Sequence, residues 1–256
     1  MHVCRRRAGL RPVLTALIFA LTSCETPPAE APAPEAAAAP ALPAPMPEPP
    51  PPRVLTLLTV PDPLRYPVVD EGHPAKYFGS VGRLLASADA NSKTADFTAA
   101  ARRLDLHLGT ELTTALERAL QRDGWVIRRV ELVRDRPDAP LADPAAYAGD
   151  GEAVLDVAIG SAGYSAVTID DPYGPCVTVL ARLSTTSRPA QPLYTEQISA
   201  GSCAFPGYAA LPGPPGFRYD SYDTLAAHAA AAVDGLRRAA ATVALRIGPE
   251  VARSLP

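Results

Sequence analysis

The side chains able to do chemistry in this 256-residue chain are few: four cysteines, four histidines and the carboxylate pairs Asp170-Asp171 and Asp220/Asp223. Past the first residues the histidines are His73, His107 and His228, and none has H-E-x-x-H or another zinc spacing. His107 and His228 fall in helical patterns and read as helix-surface residues. Gly160-Ser161-Ala162-Gly163 is not G-x-S-x-G and has no helix after it, so it reads as a strand end or bulge that needs small residues. Calcium needs several oxygen ligands on a defined loop, and neither Asp pair offers them; they suit a turn and a helix start capped by Asp220 or Ser221. No Gly-rich loop with a Lys cradles a phosphate. The expectation is therefore no catalytic residue, no metal and no cofactor.

Cys24 is different. Arg5, Arg6, Arg7 and Arg11 precede the apolar run Val13–Leu21, which ends in Leu21-Thr22-Ser23-Cys24. A basic stretch and an apolar run too short to span a bilayer have the layout of a secretory signal. The ending resembles the lipobox of bacterial lipoproteins. That resemblance implies a signal peptide over 1–23, acylation of Cys24, and attachment to the membrane through the lipid. One acyl chain binds a bilayer marginally, whereas two or three hold firmly. In that family an Asp after the Cys favours the inner membrane; Glu25 therefore implies the outer membrane, periplasm-facing. Residues 24–52 are the lipidated Cys and a Pro/Ala-rich tether with Glu25, Glu30, Glu35 and Glu48 as its charges. Such a segment cannot bury enough apolar surface to offset its ordering entropy, and in polyproline II it would reach about 80 Å at roughly 3.1 Å per residue.

An exported protein meets an oxidising compartment. With Cys4 in the signal and Cys24 lipidated, Cys176 and Cys203 are an even pair and the expected disulfide; no His or third Cys sits at metal spacing beside them. The expected signal holds four arginines and no acid, so the mature chain would carry −7 in place of −3. A general basic field for nucleic acid is thereby excluded.

The elements that must position these residues begin near Arg53. Val54–Val60 reads as a buried strand. A short helix fits Tyr77–Ala86, and a helical stripe of Leu104, Leu108, Leu112, Ala115, Leu116 and Ala119 runs through 96–122, with Gly109 a breaking point and Asp123-Gly124 the stop. Strands follow at 125–133, 154–159, 177–184 and 193–198, joined by turns that suit an antiparallel meander. A closing helix over 222–247 shows Leu225, Val233, Leu236, Ala240, Val243 and Ile247 on one stripe. The expected fold is one α+β domain over 53–256: a mainly antiparallel sheet of about five strands with two principal helices on one face.

The run Gly109-Thr110-Glu111-Leu112 to Leu120, then Gly124-Trp125-Val126-Ile127 and Ala153-Val154-Leu155-Asp156-Val157, resembles uncharacterised proteobacterial lipoproteins. In layout it is similar to the fold group of the curli-secretion lipoprotein, the amino-terminal domain of the Tol propeller protein and lipoprotein activators of penicillin-binding proteins. These are packing motifs, so the resemblance bears on fold more than on function.

One long segment, 201–219, holds Phe205, Tyr208, Leu211, Phe217 and Tyr219 among Gly and Pro. A connection of this length is often functional, and exposed aromatics would make it a partner surface. Equally, the rings could pack over the sheet edge with the disulfide pinning the loop. Three functions follow: a non-enzymatic protein-binding or accessory module of the cell envelope with an envelope protein partner, an envelope hydrolase or small-ligand-binding domain with a site on scattered loops, or a subunit of an envelope assembly ring.

Overall fold

A computed structural model of the chain describes residues 53–149, 153–168, 170–187, 191–203 and 205–255. The signal, Cys24 and the tether lie outside the described residues. Strand β1 (Val54–Leu58) is apolar and β-branched on both faces, which suits a central strand. It lies between β3 (Val126–Val130) and β4 (Ala153–Ala166), parallel to both, with Val54 opposite Val126 and Leu55 opposite Ala153. Next to β4 run β5 (Gly174–Thr185) and β6 (Tyr194–Gly201), each antiparallel to its neighbour. Two short strands are added in parallel: β2 (Val68–Asp70) on the far half of β4, and β7 (Ala209–Leu211) on β6.

The α+β expectation holds, but the sheet has seven strands and is mixed, not mainly antiparallel. Only the β4–β5–β6 meander follows the short-turn rule. The route from β1 to β3 passes through two helices, and a crossover of that length permits parallel pairing. The shift of register between Ile159 and Ser161 is the bulge expected of the small residues there.

The helices also differ from expectation. Helix α1 (Gly79–Arg103) joins the short helix expected over 77–86 to the first part of the stripe expected from 96, and α2 (Leu108–Arg122) follows after a tight turn. The break falls at Asp105, whose φ of 50° is left-handed, and not at Gly109. Gly109 sits inside the first turn of α2. A Cβ there would lie 2.4 Å from the Val60 carbonyl oxygen and 2.6 Å from that of Pro61, so only glycine lets α2 approach the end of β1. The closing helix is two pieces, α3 (Tyr222–Ala227) and α4 (Ala229–Ser254), and its expected stripe is buried throughout.

Helices α2 and α4 cover one face of the sheet, over Leu57, Leu155, Val157, Val179 and Ile198. The far half of α1 joins this core: Phe97 meets Tyr164 edge to face at 5.5 Å, and the Tyr164 hydroxyl donates to the Ala232 carbonyl at 2.9 Å. The other face is covered near β4 and β5 by the segment after β3. Arg134 reaches Asp156 at 2.7 Å, with side-chain exposures of 1 % and 0 %. The Leu141 amide donates to the same carboxylate at 2.7 Å. Burial pushes the Asp156 carboxyl above its ordinary range, against the pull of Arg134 and Leu141.

Candidate functional site

The segment after β6 is held at its root by the Cys176–Cys203 disulfide, whose Cα atoms are 5.2 Å apart. Beyond it the five sequence-predicted surface residues part company. Phe205 points outward, 48 % exposed, with its ring 5.5 Å from that of the half-buried Tyr208. Leu211 belongs to β7 and packs against the core. Phe217 is half-buried beside α4, with the Arg238 guanidinium 5.3 Å from its ring centroid. Gly235 makes this fit: a Cβ there would be 2.5 Å from the Tyr164 hydroxyl and 3.0 Å from Phe217. Tyr219 is buried at 7 % exposure, pairs with Tyr173 through two backbone hydrogen bonds, and is part of the Tyr164 cluster. Of the five, Phe205 stands exposed, Tyr208, Leu211 and Phe217 are half-buried, and Tyr219 is buried.

A larger apolar surface begins at the same end of the molecule. Phe205 shares a small cavity with Pro67, Val69 and Glu71, and the chain continues from Glu71 through the 3-10 turn Pro74–Tyr77 into α1. Tyr77, Phe78, Val81, Leu84 and Leu85 are between 61 and 81 % exposed. Val81, Leu84 and Leu85 recur at i, i+3 and i+4 on one side of α1, and Tyr77 and Phe78 precede the helix, in the 3-10 turn and at the N-cap. The inner side carries Gly82, Ala86, Phe97 and Ala101, all buried. At 3.6 residues per turn the two sides are roughly 150° apart. Gly82 is needed because a Cβ there would collide with the Ala75 carbonyl oxygen and lie 2.9 Å from Phe78 Cβ. Helix α1 is thus apolar on two opposing sides, and this chain covers one of them. The exposed side amounts to an area on the order of 600 Å², at the top of the range for the largest patch on a monomer.

The polar candidates have structural partners. His107 Nδ1 lies 2.9 Å from Asp62 Oδ2 on the exposed surface, while Asp62 Oδ1 accepts the Gly109 amide at 2.7 Å and so caps α2. The Asp62 carboxylate raises the pKa of His107. His228, at the joint of α3 and α4, is 2.8 Å through Nδ1 from the Thr224 carbonyl and stacks on Tyr219 at 6.2 Å. Asp171 accepts the Thr168 amide at 3.0 Å in a turn, and Ser221 caps α3 by accepting the Thr224 amide at 3.2 Å. Among the described residues no three His, Cys, Asp or Glu converge as metal ligands, and no helix is long and apolar enough to cross a membrane.

Sequence reasoning missed the exposed side of α1. Its signal was present in the spacing of Val81, Leu84 and Leu85. It became visible as a surface only once Ala86 and Phe97 were known to face inward. No protein-family model matches the chain, and no curated protein matches it either.

Proposed function

We propose that this protein is a membrane-anchored, periplasm-facing lipoprotein that acts as a non-enzymatic protein-binding module of the cell envelope, held through acylated Cys24. The observation that carries the reading is the second apolar side of α1. Val81, Leu84 and Leu85 at i, i+3 and i+4, with Tyr77 and Phe78 just ahead of the helix, match the anchor pattern of a helix that lies in an apolar groove of a partner protein. Phe205 and Tyr208 extend the surface with aromatic contact area, which costs little conformational entropy on binding. The Cys24 lipobox supports the anchor, and the likeness to envelope lipoproteins supports the accessory role.

The test places a photocrosslinking amino acid at Ser80, beside the stripe, in the full lipidated chain within intact envelopes. One crosslinked protein of defined mass, lost with Leu84→Asp and weakened with Phe205→Ala, is the expected result. Neither change should shift stability beyond about 0.5 kcal/mol, because both side chains face solvent. Phe217→Ala, by contrast, should lower the melting temperature. Crosslinks only to lipid, or only to a second copy of the chain, would replace the partner protein by a bilayer surface or an assembly ring. Unchanged crosslinking in Leu84→Asp would refute the surface.

A further inference from the structure

Helices α2 and α4 run side by side over the sheet, and on their solvent side they leave a groove of about 620 Å³. Its walls are Ala115 of α2 and Ala241, Ala244 and Leu245 of α4. Leu245 stands 57 % exposed on this surface. One turn before Ala115 and Ala241, Glu111 and Arg237 pair at 2.9 Å and mark one end of the groove. At the other end the helices close up, where a Cβ on Gly248 would lie 3.1 Å from Ala119 Cβ.

The charge on this groove is one-sided. Along α4 each arginine has a partner: Arg237 pairs with Glu111 and Asp234, Arg238 lies over the Phe217 ring, Arg246 pairs with Glu196 and Glu250, and Arg253 pairs with Glu250. Arg118 and Arg122 line the groove, and among the described residues neither meets a carboxylate. Only Nε of Arg122 is engaged, donating to the Arg118 carbonyl at 3.3 Å. No acid lines the groove. Glu117 is taken by Arg129, and Asp123 lies past the end, toward Gly248. Like charges four residues apart on a helix repel, so this pair is a small standing cost to the free domain.

We propose that the groove seats an acidic amphipathic helix of a partner protein, with two carboxylates one turn apart paired to Arg118 and Arg122 and an aliphatic side chain set beside Leu245. Charge selects the acid. Spacing selects the helix: Arg118 and Arg122 are separated by a rise of about 6 Å, which Asp or Glu at i and i+4 of a second helix reproduces. Because the walls are mainly alanine, that helix can approach to about 8 Å, the short end of the usual packing range. From Ala115 to Arg122 the groove is about 10 Å long, room for two turns. A small acid is disfavoured because Arg118, Arg122, Ala241 and Leu245 all stand exposed, whereas small-ligand sites enclose most of the ligand. The groove shares no residue with the exposed side of α1, so either proposal can fail alone.

Fluorescence anisotropy of a labelled synthetic peptide added to the full chain tests it. The peptide has about 15 residues, enough to form a helix in water, with Leu and Ala on one side and two Glu four positions apart beside them. Saturable binding is expected. Arg118→Glu/Arg122→Glu should weaken it at least about tenfold, because like charges across an interface are strongly disfavoured. A peptide with Lys in place of Glu should bind that variant better than it binds wild type. Ala241→Trp, at an exposed position, fills the groove without touching a charge and should abolish binding, while Leu84→Asp should leave it unchanged. Absence of saturable binding to the folded wild-type chain would overturn the proposal. So would equal affinity for the Lys peptide, or for a peptide whose helix is broken by a central proline. Displacement by laurate or by phosphatidylglycerol vesicles would overturn it in favour of an anionic lipid.

Discussion

Replacing Arg134 by Met would leave the Asp156 carboxylate buried without its nearest counter-charge. Breaking a buried ion pair from one side costs about 3–5 kcal/mol. Two features of this site place the loss near the lower bound. Arg182, opposite Asp156 in the β4–β5 register, still pulls on the carboxylate, and the Leu141 amide still donates to it. A loss of about 3 kcal/mol in a domain of this size corresponds to a drop of roughly 6–12 °C in melting temperature. The pH dependence carries the sharper test. Burial holds the folded pKa of Asp156 above its unfolded value of about 3.9. Its contribution to stability is then fully present below that unfolded value and is lost as pH rises through the folded one. Without Arg134 the folded pKa climbs further, and the loss shifts toward neutral pH. The deficit of Arg134→Met relative to wild type should therefore shrink from pH 7 to pH 5. Urea unfolding of both chains at the two pH values, with m unchanged, measures it. The double variant Arg134→Met/Asp156→Leu should regain part of the loss, less about 1–3 kcal/mol for the orphaned Leu141 amide. A deficit below about 1 kcal/mol, or one equal at both pH values, refutes the reasoning, since a charge stranded in the interior must be relieved by protonation.

Other expectations are simpler. Cys203→Ala should destabilise by about 3.5 kcal/mol on loop-closure entropy and expose the loop at Phe205 to proteolysis; an unchanged unfolding midpoint would show that the bridge constrains nothing. Gly109→Ala, which in an ordinary helix gains about 1 kcal/mol, should instead lose about 1–3 kcal/mol, because its methyl meets the Val60 and Pro61 backbone; calorimetry that shows stabilisation would refute the close approach. The His107 ring should titrate above the ordinary value by NMR and fall back toward it in Asp62→Asn. The stability that this pair adds is present below the unfolded pKa of about 6.5 and is lost as pH rises through the folded one.

Much of the fold was legible because burial leaves a period in the sequence. Leu155, Val157 and Ile159 against Asp156 showed a strand with two unlike faces, and the Leu225–Ile247 stripe showed a helix against the core. Strand direction was not legible. Val54–Leu58 reads the same whether its neighbours run parallel or antiparallel, and only the path through α1 and α2 decides. The continuity of α1, from the short helix expected over 77–86 to the stripe that begins at 96, was hidden because residues 86–92 are small and polar and carry no apolar stripe across the gap. At the site, composition showed five aromatic and aliphatic residues in one loop but not which way each faces. Phe217 fits against α4 because Gly235, on that distant helix, leaves it room, and Tyr219 turns into the Tyr164 cluster. The Arg134–Asp156 pair was equally hidden, since nothing near Arg134 in sequence marks it as buried.

The placement of β1 has a mechanical consequence. The chain enters the domain at Arg53 and passes at once into a strand flanked on both sides by parallel partners, β3 and β4. If the protein is anchored upstream, as the lipobox implies, any drag between the domain and the membrane is delivered along the axis of that strand. A load in this direction strains the hydrogen bonds to β3 and β4 together, in shear, and does not peel them off singly as it would at a sheet edge. Resistance to such a load is set by the barrier to extracting β1 and not by the equilibrium stability of the domain. The strand nearest the leash is thus the one best seated to hold against it.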